Sequence, residues 1–230
     1  KIFLRQQSNI WKKAHNVIVI SESIKDWLNK LNPAINPIVV PYGVEIPEIK
    51  TTDDKYYPTL GFLGKLNKNK GIEDLVHVYG EMLKKENFRD LEINLLIGGI
   101  GSESYIKDIK QKINNKNLKF LGYVEDRYNF FSSLDIFIFP SYSEGLGLVL
   151  LEAMSHGVLC ITRNVSPMNS IIKHGVNGFL FNDNNELQEL IENALKLDNL
   201  EIDNLVKSAL ETIENSYSII QMYSSIEKAY

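Results

Sequence analysis

Cysteine is nearly absent from this chain: Cys160 alone among 230 residues. A disulfide framework is excluded, and a thiol inside the apolar run Val158–Thr162 reads as a buried strand residue rather than a nucleophile. Histidine is scarce too, at four residues, and none stands with cysteine or carboxylates at metal-ligand spacing. No Asp-x-Asp pair follows a strand, so no metal and no resident cofactor are expected. Neither sign of charge dominates: 25 Lys and Arg face 29 Asp and Glu, a net −4 that removes the electrostatic case for nucleic-acid binding. Apolar runs stop short of the roughly 18 residues that a membrane span needs, and no secretory leader opens the sequence. A reducing, cytoplasmic location is expected, with peripheral contact at the inner face of a membrane left open. The chain begins at Lys1 rather than Met and reads as an excerpt, so an upstream signal or anchor stays open as well.

What is present is a globular composition, 44% hydrophobic and 23% charged, long enough to bury a proper core. Apolar runs of four to seven residues alternate with amphipathic stretches of ten or more, the rhythm of βαβ units and a mostly parallel sheet. The spacing predicts strands at Val17–Ile20, Ile38–Val40, Thr59–Phe62, Leu91–Ile97, Leu118–Phe120, Ile136–Phe139, Val158–Thr162 and Phe179–Phe181. These are apolar without alternation, as strands covered on both faces must be. Helices are predicted at Ile72–Lys85, Ser102–Asn115, Leu148–His156, Glu186–Leu197 and Ser216–Ala229. The stretch 45–57, with Pro47, several charges and few large apolar groups, is the linker candidate. The segment before it is too little for an independent domain and reads as the tail of one.

Four loops at strand ends carry the candidate chemistry. Ser141–Gly157, SYSEGLGLVLLEAMSHG, comes after the strand Ile136–Phe139 and so lies at a carboxyl edge, where such sheets bind ligands. Glu144 and Glu152, eight positions apart, offer one carboxylate from the loop and one from a helix that starts near Gly147. Gly145 and Gly147 permit close backbone approach, and the helix start turns free N–H groups and its positive end into the same space. Acids for sugar hydroxyls beside a helix start for phosphate make a coherent nucleotide-sugar cradle. By spacing alone, a glycine turn with two solvated glutamates accounts for the segment equally well. The second loop, Gly61–Gly71 (GFLGKLNKNKG), contains Gly64 and sets Lys65 and Lys70 five positions apart before a helix, which suits a diphosphate. Solvated loop lysines are its plain alternative. Ile97–Ser102 (IGGIGS, with Gly98) and Leu121–Val124 (LGYV) are glycine turns on the same edge, and a simple turn explains each of them equally well.

The run Pro140–Gly157 resembles the EX7E motif of the retaining GT-B glycosyltransferases, family 4 especially, whose pattern reads P-S-x-x-E-G-x-G-x-x-x-x-E-A-M-x-x-G. Every fixed position is met, from Pro140 through Glu144, Gly145, Gly147, Glu152, Ala153 and Met154 to Gly157. The resemblance implies that Glu144 contacts the donor sugar, together with backbone amides of Gly145, Leu146, Gly147 and Leu148, and that Glu152 holds the ribose hydroxyls. The second loop is similar to the family's G-R-x-x-x-x-K-G segment, which implies that Lys65 and Lys70 bind the donor diphosphate and join Glu144 in the chemical step. Lys65 stands where the family usually has Arg, so charge is kept and a bidentate fork is lost. The same resemblance sets Gly98 near the base and the backbone of Tyr123 and Val124 at the base edge. Residues 174–178, HGVNG, fit the family's D-G-x-N-G, whereas Ser170 stands where the family often has Glu; His174 reads as a surface-turn residue.

The ends resemble the family as well. AHNVIVISESIKDWL and IVVPYGVE are similar to the last strand, helix and hinge lead of its N-terminal domain, and Tyr217–Tyr230 to the terminal helix that crosses back onto that domain. The implied fold is α/β, a doubly wound Rossmann-like parallel sheet forming the C-terminal half of a GT-B fold, with a remnant of the N-terminal domain. The implied units are 1–44 (end of the acceptor domain), 45–57 (linker), 58–205 (donor-binding domain) and 206–230 (returning helix). The basic opening segment, with Lys1, Arg5, Lys12 and Lys13 beside Phe3 and Trp11, reads as an interdomain helix, with a membrane-surface role as the alternative. The implied function is transfer of a sugar, with retention, from a UDP- or GDP-sugar to a saccharide or lipid-linked acceptor in surface polysaccharide or glycolipid synthesis, without a metal. A non-catalytic flavodoxin-like nucleotide-binding or regulatory module, and an inverting GT-B enzyme or nucleotide-sugar epimerase, are the rival readings. The first rival explains the sheet rhythm but not the complete EX7E pattern.

Overall fold

The computed structural model describes residues 14–48, 58–113 and 115–230. The basic opening segment and residues 49–57 of the expected linker lie outside them. Near the start, β1 (Ile18–Val19) and β2 (Ile38–Val39) pair in parallel through α1 (Glu22–Leu31), capped by the Ser21 hydroxyl accepting from the Ile24 amide at 3.4 Å. Val19, Leu28 and Ile35 form a small core of their own.

From residue 58 the chain winds a second sheet. In order come β3 (Thr59–Leu63), α2 (Ile72–Met82), α3 (Glu86–Arg89), β4 (Asn94–Gly98), α4 (Glu103–Lys112), β5 (Leu118–Gly122), α5 (Arg127–Ser132) and β6 (Ile136–Phe139). Next are α6 (Leu148–Ser155), β7 (Leu159–Arg163), α7 (Met168–Ile171), β8 (Phe179–Phe181), α8 (Asn184–Ala194), α9 (Asn199–Thr212) and α10 (Ile219–Ala229). The six strands lie in the spatial order β5-β4-β3-β6-β7-β8, every neighbouring pair parallel. This is the doubly wound α/β sheet expected of the sequence. Strands β3, β6 and β7 are buried at every position, which is why they read as unbroken apolar runs. Through the centre, Phe131 meets Phe137 edge-to-face at 5.6 Å, and Phe137, Phe139 and Phe62 stack in succession at 5.9 and 6.4 Å. Cys160 sits in β7, fully buried, and burial pushes its thiol pKa up.

Three departures from the expected elements have local causes. The strand expected from Leu91 begins at Asn94, because Leu91 is exposed in the turn after α3. Helix α9 was not expected at all. Its Asp198 carboxylate accepts from the Glu201 amide at 2.8 Å while Glu201 accepts from the Asp198 amide at 3.0 Å, a complete capping box. The expected boundary between residues 205 and 206 therefore falls inside a continuous helix. Finally, the helix expected from Ser216 starts at Ile219, because Ile213–Tyr217 forms a π turn and the Ser218 hydroxyl caps α10 by accepting from the Gln221 amide.

The terminal helix lies against the start of the described chain. The Val44 amide donates to Tyr217 at 2.8 Å, the Ile219 amide donates to Val44 at 3.2 Å, and the Asn16 side chain donates to the Ala229 carbonyl. Among the described residues no helix is long and apolar enough to cross a membrane.

Candidate functional site

The chain steps from β3 to β4 to β5 on one side of the sheet, then returns to β6 beside β3 and winds the other way. At such a reversal the loops leaving adjacent strands diverge to opposite faces, and a crevice opens outside the carboxyl ends. A cleft of about 520 Å³ lies there. Its walls come from the exits of β3 (Leu63, Gly64, Lys65, Lys70), β4 (Gly99, Ile100), β5 (Tyr123, Val124, Arg127) and β6 (Phe139, Glu144, Leu148, Val149).

The two loops that flank the reversal are sewn together. Tyr142 donates its amide to the Asn69 carbonyl at 2.9 Å, and the buried Ser141 hydroxyl lies 3.4 Å from the same oxygen. Gly71 makes this approach feasible: it sits at φ +67°, and a Cβ there would stand 2.3 Å from the Pro140 carbonyl oxygen. Beyond it, Lys70 Nζ lies 2.5 Å from Glu144 Oε1, with both side chains more than four-fifths covered. Behind the loops, Arg163 donates Nε to Pro140 at 3.1 Å and Nη2 to Asp74 at 2.7 Å. Its guanidinium lies over the Tyr142 ring, 4.0 Å from the centroid. The Tyr142 hydroxyl donates to Asp74 too, and that bond raises the Tyr142 pKa.

Helix α6 closes the next wall. Gly147, at φ +84°, forms its N-cap in a conformation that suits glycine. The first helical acceptor is the Gly147 carbonyl, which serves Leu150 and Leu151. The amides of Leu148 and Val149 have no intrahelical acceptor, and both residues line the cleft. One turn further in, Glu152 meets Arg127, whose Nη1 contacts both carboxylate oxygens.

Residues 46–217 match the family described as Glycosyl transferases group 1. The chain belongs to that family. It is 27% identical, over 94% of its length, to the capsular polysaccharide biosynthesis glycosyltransferase CapM of Staphylococcus aureus. It is 28% identical, over 57% of its length, to the Escherichia coli UDP-Gal:alpha-D-GlcNAc-diphosphoundecaprenol alpha-1,3-galactosyltransferase. Among solved structures, Anabaena HepE in complex with UDP and glucose superposes over 98% of the chain with a TM-score of 0.86 at 20% identity. The fold is thus the one seen in GT-B glycosyltransferases. The chain spans 61% of CapM, 35% of the galactosyltransferase and 65% of HepE.

Within this group 1 glycosyl transferase chain, the residues singled out in the sequence divide in two. Gly64, Lys65, Lys70, Tyr123, Val124, Glu144 and Leu148 share the cleft. Glu152 reaches it through Arg127. Gly98, Gly145, Leu146 and Gly147 are not on its wall. Gly98 ends β4 and accepts from the Gly64 amide at 3.1 Å, so Gly99 and Ile100 face the cleft in its place. The Gly145 carbonyl turns away to accept from Ser21 at 2.7 Å, tying the loop to the first sheet, and Leu146 is buried. His174 is occupied structurally, its Nδ1 accepting from the Leu180 amide at 3.1 Å, and Ser170 is exposed. Arg127, Phe139 and Val149 had no motif to announce them. For Arg127 the available signal was a cation directly after the N-cap Asp126 of α5, the end of a helix that disfavours positive charge. Among the described residues no group of three His, Cys, Asp or Glu is placed to hold a metal ion.

Proposed function

We propose that this chain is the donor-binding half of a retaining glycosyltransferase of family 4, which moves a sugar from a UDP- or GDP-sugar to a saccharide or lipid-linked acceptor. The observation that carries the reading is the convergence of Glu144, Lys70 and Lys65 on one cleft at the strand-order reversal, with the start of α6 in the same wall. In this reading Lys65, Lys70 and the amides of Leu148 and Val149 hold the diphosphate. Glu144 accepts hydroxyls of the donor sugar, Glu152 takes the ribose hydroxyls, and Tyr123 and Val124 border the base, with Gly98 and Gly64 keeping those strand exits close. Gly145 to Gly147 shape the turn that delivers Glu144 and starts α6. As the glycosidic bond breaks, negative charge grows on the departing diphosphate. Fixed cations and helix amides stabilise it there without reorganisation, and no metal is invoked. The capsule and lipid-linked glycan names of two relatives favour surface polysaccharide or glycolipid synthesis. The units 1–44, 45–57 and 58 onward are read as the end of an acceptor-side domain, a linker and the donor domain, with a cytoplasmic site of action.

The test is a thermal-shift screen of the full chain with UDP, GDP, ADP and their sugars. A nucleotide that binds only the folded state raises the melting temperature by mass action. If none does so at millimolar concentration, the donor-site reading is lost. Retention is tested separately, by the anomeric configuration of the product formed by the whole protein.

A further inference from the structure

Arg127 is the cleft residue with the least local reason to be where it is. It is the first residue of α5, where the helix end is positive and an arginine is electrostatically misplaced. Its compensation comes from a different helix: Glu152 on α6, reached by one guanidinium nitrogen that touches both carboxylate oxygens. The arginine lines the cleft and its side chain is 46% exposed, whereas the glutamate side chain is 19% exposed. Arg127 therefore ties the wall after β5, with Tyr123 and Val124, to the wall built by α6. It does on this side what Lys70 and Glu144 do across the strand reversal.

A carboxylate offers about four lone-pair sites on two oxygens. With Nη1 shared between the oxygens, each keeps capacity for one more donor, and two adjacent hydroxyls of a vicinal diol match that capacity. We infer that Arg127 is a positioning residue of the nucleotide site, clamping Glu152 so that its free lone pairs receive the 2′- and 3′-hydroxyls of a ribonucleoside. This rests on the donor-site reading above and adds to it a residue outside the EX7E and lysine motifs. Because a single nitrogen makes both contacts, the role needs a cation at that point more than it needs the arginine fork.

The test is calorimetry on the full chain with UDP and GDP and with their 2′,3′-dideoxy forms. Arg127→Leu is expected to weaken the ribonucleotide that the unmodified chain binds by roughly tenfold, the scale of one charge-assisted hydrogen bond, while leaving the dideoxy form unchanged. Arg127→Lys is expected to restore most of that loss. Adding Arg127→Leu to Glu152→Gln is expected to cost no more than Glu152→Gln alone, as residues acting as one unit do. Thermal melts accompany each variant, and the lysine variant serves if the leucine variant melts early. Equal weakening of ribose and dideoxy forms by Arg127→Leu, or unchanged binding of both while Glu152→Gln loses the ribonucleotide, overturns the inference and leaves the donor site standing. Failure of the unmodified chain to bind either UDP or GDP overturns both.

Discussion

Lys70 Nζ lies 2.5 Å from Glu144 Oε1, and the pair joins the loop after β3 to the loop after β6 across the strand-order reversal. Each group is the other's counter-ion, so a diphosphate would have to compete with Glu144 for the ammonium. Lys70→Ala is expected to weaken UDP or GDP by roughly tenfold or more, the net value of a hydrogen bond to a charged group, and to weaken the monophosphate much less. Glu144→Gln is expected to leave diphosphate affinity unchanged or a few-fold tighter, because the competing charge is gone. Calorimetry with mono- and diphosphates reads both. Equal losses of UMP and UDP in Lys70→Ala would place the lysine elsewhere than at the diphosphate.

The loop bearing Glu144 is held from behind by Asp74, which accepts from Arg163 at 2.7 Å and from the Tyr142 hydroxyl. The Arg163 side chain is only 9% exposed, packed over Tyr142 and Phe181. Asp74→Ala leaves that guanidinium buried without its carboxylate and is expected to cost about 2–4 kcal/mol, somewhat below the fully buried case since Asp74 keeps some access to water. Tyr142→Phe removes one hydrogen bond and keeps the ion pair, at about 1 kcal/mol. Urea midpoints separate the two. If both variants lose the same stability, the Asp74–Arg163 pair is not the principal tie.

The sheet and the cleft were legible to different depths, for physical reasons. Strands such as Ile136–Phe139 announce themselves because burial on both faces demands unbroken apolar runs, and Glu144, Lys65 and Lys70 because loop chemistry at carboxyl edges is written in glycines and charges. Helix α9 is spelled out by its capping box, Asp198 and Glu201, and by Ile202, Leu205, Val206 and Ala209 at helical spacing, although only Leu205 and Ala209 are buried. Arg127 escaped because its partner Glu152 is 25 residues away in sequence; such a pair exists only once α5 and α6 are placed. The Gly145 carbonyl accepts from Ser21, 124 residues distant, a tie that no local pattern records. Local patterns record what a segment needs, whereas these contacts depend on which segment arrives opposite it.

Tyr79 provides a pH test of the core. Its hydroxyl, fully buried, donates to the Ile93 carbonyl at 2.6 Å, and burial raises its pKa from 10.0 to about 12. Between those values the unfolded chain has lost the phenolic proton while the folded chain keeps it, so the unfolded state binds fewer protons and stability falls with rising pH. The contribution is whole below pH 10 and lost on approach to pH 12. Tyr79→Phe is expected to cost about 1–2 kcal/mol near neutrality, from the lost bond and the orphaned carbonyl, and to flatten the stability curve across that interval. An unchanged slope in the variant would remove Tyr79 as its source.

Gly71 and Gly122 separate backbone strain from loop contact. Both have positive φ, +67° and +70°, but a Cβ on Gly71 would stand 2.3 Å from the Pro140 carbonyl, whereas one on Gly122 would meet nothing within 4 Å. Alanine at either position incurs the left-handed penalty of about 1–2 kcal/mol. At Gly71 the substitution must also push the loop of Lys70 away from the loop of Glu144, since the atom opposed is backbone and has no rotamer to yield. Gly71→Ala is therefore expected to destabilise by at least about 1 kcal/mol more than Gly122→Ala, and to weaken UDP or GDP binding where Gly122→Ala does not. Paired urea titrations and calorimetry on the two variants decide it. Matching losses in stability with intact nucleotide affinity in both would mean that the approach of these two loops does not shape the cleft.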